Sequence, residues 1–181
     1  DKFQYNGRVQ FQPFGDVRYS EVDFESTNKP LIAFAAQFDI NDFANSVASP
    51  PPSVAACPCG IGAFKRTMFG GDIAFKYKGV FLLAEYHNRE IDPLLAGLGS
   101  FHSDGYNLEA GYLIGGPQKG KFEVVGRYAS FDPTDKVNGN DRTETGFGLN
   151  WFYNKHFAKI QSDFRLLKNK ANDQTSKEFR I

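Results

Sequence analysis

Hydrophobic and polar residues alternate along much of this chain, most regularly between residues 142 and 167. A period of two places successive side chains on opposite faces of a β-strand. The pattern therefore predicts two strands, joined by a tight turn at Asn154-Lys155, each with one apolar and one polar face. The apolar positions are Phe147, Leu149, Trp151 and Tyr153 in the first strand, and Ala158, Ile160, Ser162, Phe164 and Leu166 in the second.

The same alternation marks other segments and predicts about nine strands in all. The further segments are residues 3–12, 31–40, 68–77, 80–90, 106–114, 121–131 and a last strand that begins in 176–181. The alternation is weakest in 80–90, which is apolar on both sides near its start. Residues 13–29 are predicted to be an irregular connection, with room for a short strand at 17–24.

Two architectures explain such strands. In a soluble barrel or sandwich the apolar faces form the core, whereas in a transmembrane barrel they meet lipid and the polar faces line an aqueous lumen. Three features favour the membrane: the predicted strand lengths, the alternation of tight turns with longer loops, and the aromatic residues Tyr77, Trp151 and Tyr153 beside the tight turns. The predicted fold class is therefore all-β, an antiparallel transmembrane β-barrel.

The chain, residues 1–181, is predicted to be a single β-barrel domain or the C-terminal fragment of one. Its longest predicted loop, residues 41–66, is expected on the extracellular side. This loop holds three consecutive prolines and the triplet Cys57-Pro58-Cys59. The two cysteines lack partners with metal-ligand spacing, so they are interpreted as a feature of the loop.

The composition and the motifs of the chain argue against several classes of function. The formal net charge is zero and the pI is near 7.0, which argues against nucleic acid as a partner. No apolar run approaches the roughly 20 residues of a membrane helix, whereas a membrane strand needs only about 9–11. No catalytic constellation, metal site or cofactor motif is predicted, so an enzyme is not expected.

Four segments resemble the phosphate-selective porin O and P family. They read FEVVGRYASFD, TGFGLNWFYNKHFAKIQSDF, GGDIAFKYKGVFLLAEY and SDGYNLEAGYLIGG, and they cover most of the chain from about Gly71. The first two carry the most specific similarity, through the pairing of the strand at Glu123–Tyr128 with the run Gly148–Asn154.

The resemblance implies a 16-stranded homotrimeric porin of the bacterial outer membrane that passes anions such as phosphate. Its expected partners are outer-membrane lipid, lipopolysaccharide and small anionic or polar solutes. The chain departs from the family in showing about nine strands, so we expect the C-terminal part of a larger barrel, completed by further strands or by another chain. It also ends in Phe179-Arg180-Ile181, without the aromatic-terminated last strand of the family. The constriction of the pore is expected outside this chain, so no phosphate-binding residue is carried over.

The candidate pore-lining residues are the cations at inward positions of the strands: Arg8, Lys76, Arg89, Lys121, Arg127, Lys159 and Arg165. Acidic residues are about equally frequent at these positions, so many of the charges are expected to pair across neighbouring strands. The group Lys121, Arg127, Lys159 and Arg165 is the candidate anion path. Two alternatives stay open, a non-conducting barrel that acts as an anchor or scaffold and a soluble ligand-binding barrel.

Overall fold

The computed structural model describes residues 3–17, 22–44, 63–93, 99–115, 121–154 and 157–181. In these ranges the chain forms a single antiparallel sheet of nine strands, and the order of the strands in the sheet follows the chain. The strands are β1 (Gln4–Phe11), β2 (Leu31–Ala44), β3 (Ala63–Tyr77), β4 (Val80–Pro93), β5 (Phe101–Ile114), β6 (Lys121–Asp132), β7 (Arg142–Asn154), β8 (Ala158–Asn169) and β9 (Gln174–Arg180). Within the ranges described, no helix is long and apolar enough to cross a membrane.

The predicted all-β antiparallel architecture and the number of strands are confirmed, but several strands are longer than the alternation indicated. β2 continues to Ala44 and β3 begins at Ala63, so both strands extend into the predicted loop 41–66. Here Asp42 pairs in register with Lys65, and opposite charges in register stabilise a ladder after the alternation has stopped. The rest of the predicted loop, with Cys57 and Cys59, lies outside the described residues.

The two faces of the sheet differ in both chemistry and exposure. On the apolar face, Phe147 and Leu149 of β7 are 55% and 51% exposed. On the opposite, polar face, Glu123 of β6 is only 2% exposed. Side chains crowd together on the inside of a curved sheet and spread apart on the outside. The sheet therefore curls towards its polar face, which is the inversion that a membrane barrel requires.

Aromatic side chains lie on the apolar face at the end of the sheet where the tight turns are. The turn between β3 and β4 consists of Lys78 and Gly79, both with positive φ, as a two-residue hairpin needs. At the same end Trp151 stacks on Phe122, with ring centroids 6.2 Å apart, and meets Tyr153 edge-on. This arrangement matches an interfacial aromatic belt.

The alternation of short and long connections is less strict than predicted. Between β8 and β9, at the end opposite the tight turns, the connection is a short turn over 170–173. The side chains of Asn169 and Asn172 accept hydrogen bonds from the backbone N–H groups of Ala171 and Gln174, which closes this turn locally. Conversely, the long connection between β1 and β2 lies at the tight-turn end. We call its residues, 12–30, the β1–β2 connection.

Candidate functional site

The structure places all seven predicted pore-lining cations on the polar face. Arg8 lies on β1, Lys76 on β3, Arg89 on β4, Lys121 and Arg127 on β6, and Lys159 and Arg165 on β8. These cations fall into three groups according to their neighbours. Four bond to carboxylates or hydroxyls of the wall, two bond to the β1–β2 connection, and one is exposed.

Arg127 and Arg165 converge on the carboxylate of Glu144, which lies between them on β7. The Glu144 Oε1 atom is 3.8 Å from Nη1 of Arg127 and 3.4 Å from Nη1 of Arg165. Arg165 also donates through Nε to Asp163, at 2.5 Å. The sequence placed both arginines in one candidate path, and the structure brings them together around a shared anion.

A groove on the polar face runs beside these residues. Its volume is about 340 Å³, and Gly146 and Gly148 leave room for it because they present no side chain from β7. Its ionic lining consists of Glu109, Glu123, Glu144, Asp163, Arg127 and Arg165. Carboxylates thus outnumber guanidinium groups here, so the lining of the groove is not predominantly cationic.

A chain of side-chain hydrogen bonds continues from this group across the sheet. Arg127 donates through Nε to Oδ1 of Asn107 on β5, at 2.9 Å. The amide nitrogen of Asn107 in turn donates to Glu85 on β4, at 3.0 Å. Polar side chains on adjacent strands therefore satisfy one another, as is expected of a lumen wall.

Arg8 is the centre of a second network of ion pairs and hydrogen bonds on the polar face. Its guanidinium binds both oxygens of Asp72 on β3, at 2.6 and 3.0 Å, and also donates to Gln37 on β2. Gln37 in turn lies 3.3 Å from Nδ1 of His87. This two-pronged geometry is the strong form of an arginine–carboxylate pair and fixes β1 against β3 across β2.

A third network lies nearer the end opposite the tight turns. Arg66, which was not among the predicted residues, contacts Asp39 at 2.6 Å, and Gln4 donates to the other oxygen of that carboxylate. Arg89 donates to the hydroxyl of Ser103, at 2.8 Å. Arg66 occupies an inward position of β3 that the sequence had assigned to the loop, which is why the prediction missed it.

Lys76 and Lys121 bond to the β1–β2 connection. The ammonium group of Lys76, a residue that is 4% exposed, donates to the carbonyl oxygen of Val22, at 3.3 Å. The ammonium group of Lys121 donates to the carbonyl oxygen of Phe24, at 2.5 Å, and lies over the Phe24 ring. Both lysines therefore hold backbone in place at the tight-turn end.

Lys159 differs from the other candidates. It is exposed on the polar face and pairs in register with Phe152 of β7. Among the residues that the structure describes, no carboxylate forms an ion pair with it. Lys159 is thus the candidate cation most open to a passing solute.

The sequence of the β1–β2 connection itself did not predict that its described parts lie on the polar face. Val17 packs against Ala33 and Ala74, and Val22 packs against Leu113 and Phe152. No strand is present in the described residues of the range 17–24, where the sequence left room for one.

Comparisons with known proteins agree with this geometry over most of the sheet. The profile of the family described as phosphate-selective porin O and P matches residues 62–179, well over half of the chain. Searches of the curated proteins and of the solved structures gave no significant match. The matched region begins just before β3 and includes all strands from β3 to β8 and most of β9. This match covers more than half of the chain, and the chain belongs to the phosphate-selective porin O and P family.

Proposed function

We propose that the protein forms a water-filled channel in the bacterial outer membrane through which small anionic or polar solutes, phosphate among them, diffuse passively. Family membership supports a channel rather than an enzyme and an outer-membrane location. The observation that carries the proposal is the inversion of the two faces. Ionic side chains such as Asp72 and Glu123 are less than a tenth exposed on one face, while aromatic rings are about half exposed on the other.

The surroundings of the channel are part of the proposal. The apolar face would contact outer-membrane lipid and lipopolysaccharide, and the assembly would be a homotrimer of 16-stranded barrels. The two edge strands, β1 and β9, each pair on one side only in the described sheet. Unpaired backbone groups are costly in lipid, which supports closure of the barrel by further strands.

The ion selectivity of the channel would depend on how far the carboxylates offset the positive charge of the wall. Arg127 and Arg165 share Glu144, so each guanidinium attracts an anion less than an isolated one would. Converting Glu144 to glutamine keeps the shape of the side chain and removes its charge, which should shift selectivity towards anions. The matched control is Glu90→Gln, because Glu90 lies on the apolar face, opposite His102 on β5.

The test is single-channel conductance of the protein from its native membrane, with the reversal potential measured in a salt gradient. We expect stepwise conductance in the wild type and a reversal potential that moves towards anion preference in Glu144→Gln but not in Glu90→Gln. An unchanged reversal potential in Glu144→Gln would exclude this carboxylate from the conduction path.

A non-conducting barrel that serves as an anchor or scaffold is the second candidate. It is favoured by one observation, the β1–β2 connection, which occupies part of the polar face at the tight-turn end. A correctly inserted wild-type protein without conductance would support this second function.

A further inference from the structure

The described parts of the β1–β2 connection, residues 12–17 and 22–30, contact the polar face at two separate places. Its Val17 packs on Ala33 of β2 and Ala74 of β3, whereas its Val22 packs on Leu113 of β5 and Phe152 of β7. With a spacing of roughly 4.8 Å between neighbouring strands, the path from β2 to β7 is about 24 Å along the sheet. The described parts of the connection therefore lie over a broad part of the inner wall.

Side chains of the connection are buried in this position. Val17 is 1% exposed and Val22 is 3% exposed. The ring of Phe24 meets the ring of Phe152 edge-on, with centroids 4.9 Å apart. A segment packed so closely against the wall has a defined place on the polar face.

Hydrogen bonds to Asp23 fix the same segment to the β3–β4 turn. One carboxylate oxygen of Asp23, which is 2% exposed, accepts from the backbone N–H of Gly79 at 2.9 Å and from the backbone N–H of Thr27 at 3.0 Å. The N–H of Lys78 donates to the carbonyl oxygen of Thr27, at 3.0 Å. Buried polar groups satisfied in this way define a single arrangement.

We propose that the described parts of the β1–β2 connection, residues 12–17 and 22–30, form a fixed constriction at the tight-turn end of the channel and that Lys76 and Lys121 position them. The inference rests on the proposed channel function. Each ammonium group donates to a carbonyl oxygen of the connection, from β3 on one side and β6 on the other. These two lysines are therefore positioning residues for the constriction, whereas the sequence had assigned them to the solute path.

The arrangement of cations in the wall supplies a matched pair of variants. Lys121 and Lys159 both pair in register with Phe152, on opposite sides of β7. Removing either ammonium group takes one positive charge from the same level of the wall. Of the two, Lys121 alone bonds to the described residues of the connection.

The experiment compares Lys121→Met, Lys76→Met with Lys121→Met, and Lys159→Met in the full protein, inserted into planar bilayers. Insertion is checked by heat-modifiable migration in gels. We expect the conductance to rise in Lys121→Met and further in the double variant. In Lys159→Met it should not rise, because this variant removes an exposed cation of the solute path without releasing the connection. Unchanged conductance in both Lys121 variants, with normal insertion, would overturn the constriction.

Asp23→Asn keeps the test decisive if the lysine variants do not insert. It retains both lysines and weakens the acceptor for the Gly79 N–H group, so faster hydrogen exchange at Gly79 and higher conductance are expected together. Faster exchange without a rise in conductance would overturn the constriction. A correctly inserted wild-type protein without conductance would instead refute the proposed channel function. This outcome is distinct from a failure of the constriction, because it is seen before any variant is compared.

Discussion

A charged substitution at Leu149 tests whether the apolar face of the sheet contacts lipid. It lies near the middle of β7, a strand of 13 residues, and its side chain is 51% exposed. A charged side chain on the lipid face of a membrane barrel costs about 2–4 kcal/mol at the midplane and about 0–1 kcal/mol near the interfaces. In water, a substitution at such an exposed site usually changes stability by less than about 0.5 kcal/mol. Leu149→Arg should therefore lower the free energy of unfolding by about 2–4 kcal/mol if the face is lipid-exposed.

Two further variants separate depth from face. Tyr153 lies on the same face, four residues later along β7, in the aromatic belt at the tight-turn end. With a rise of roughly 3.4 Å per residue and a tilt of about 40°, it is about 10 Å nearer the membrane surface than Leu149. Tyr153→Arg should therefore cost less than Leu149→Arg. Gln161 is exposed on the polar face and pairs with Asn150, so Gln161→Arg places the same charge at nearly the same depth but towards the lumen.

The assay is reversible urea unfolding of the protein from lipid vesicles, with the free energy extrapolated to zero denaturant. We expect the largest loss for Leu149→Arg, an intermediate loss for Tyr153→Arg and almost none for Gln161→Arg. A loss at Leu149 as small as that at Gln161 would refute the lipid-facing assignment. Equal losses at Leu149 and Tyr153 would refute the predicted depth of the strand.

Two other features give independent predictions. A Cβ atom at Gly148 would lie 2.7 Å from Cγ1 of Val125, a branched side chain that cannot move aside cheaply, so Gly148→Ala should lower the unfolding free energy by about 1–3 kcal/mol. Gly126→Ala, where nothing lies within 4 Å of the added carbon, should be neutral or stabilising, and equal losses in chemical denaturation would contradict the argument. The backbone N–H of His102 donates to Asp135 and lowers the pKa of that carboxyl below its ordinary 3.8, so this contact should be complete at neutral pH and weaken as the pH falls through the folded pKa. The rate of hydrogen exchange at the His102 amide should therefore show a titration at acid pH that is lost in Asp135→Asn. If the titration persists in that variant, another group is responsible for it.

The regular part of this fold could be predicted from the sequence because a period of two is a local property. Phe147 and Leu149 alternate with two glycines, and that pattern fixes which side chains share a face without knowledge of the neighbouring strands. The ends of the strands could not be predicted in this way. The pairing of Asp42 with Lys65 depends on two segments that are far apart in the sequence, so neither segment alone indicates that the ladder continues.

The position of the β1–β2 connection leaves an indirect mark on the sequence. On a wall that faces water, an apolar residue at an inward position is favoured where another segment of the chain packs on it. Such exceptions occur at Leu83, which made the alternation of β4 weak, and at Leu113 and Phe152. Leu83 packs against the cluster around Val17, and the other two pack against Val22. In this sheet the breaks at Leu83, Leu113 and Phe152 therefore mark where the described parts of the β1–β2 connection lie on the inner wall, and these breaks are as informative as the alternation itself.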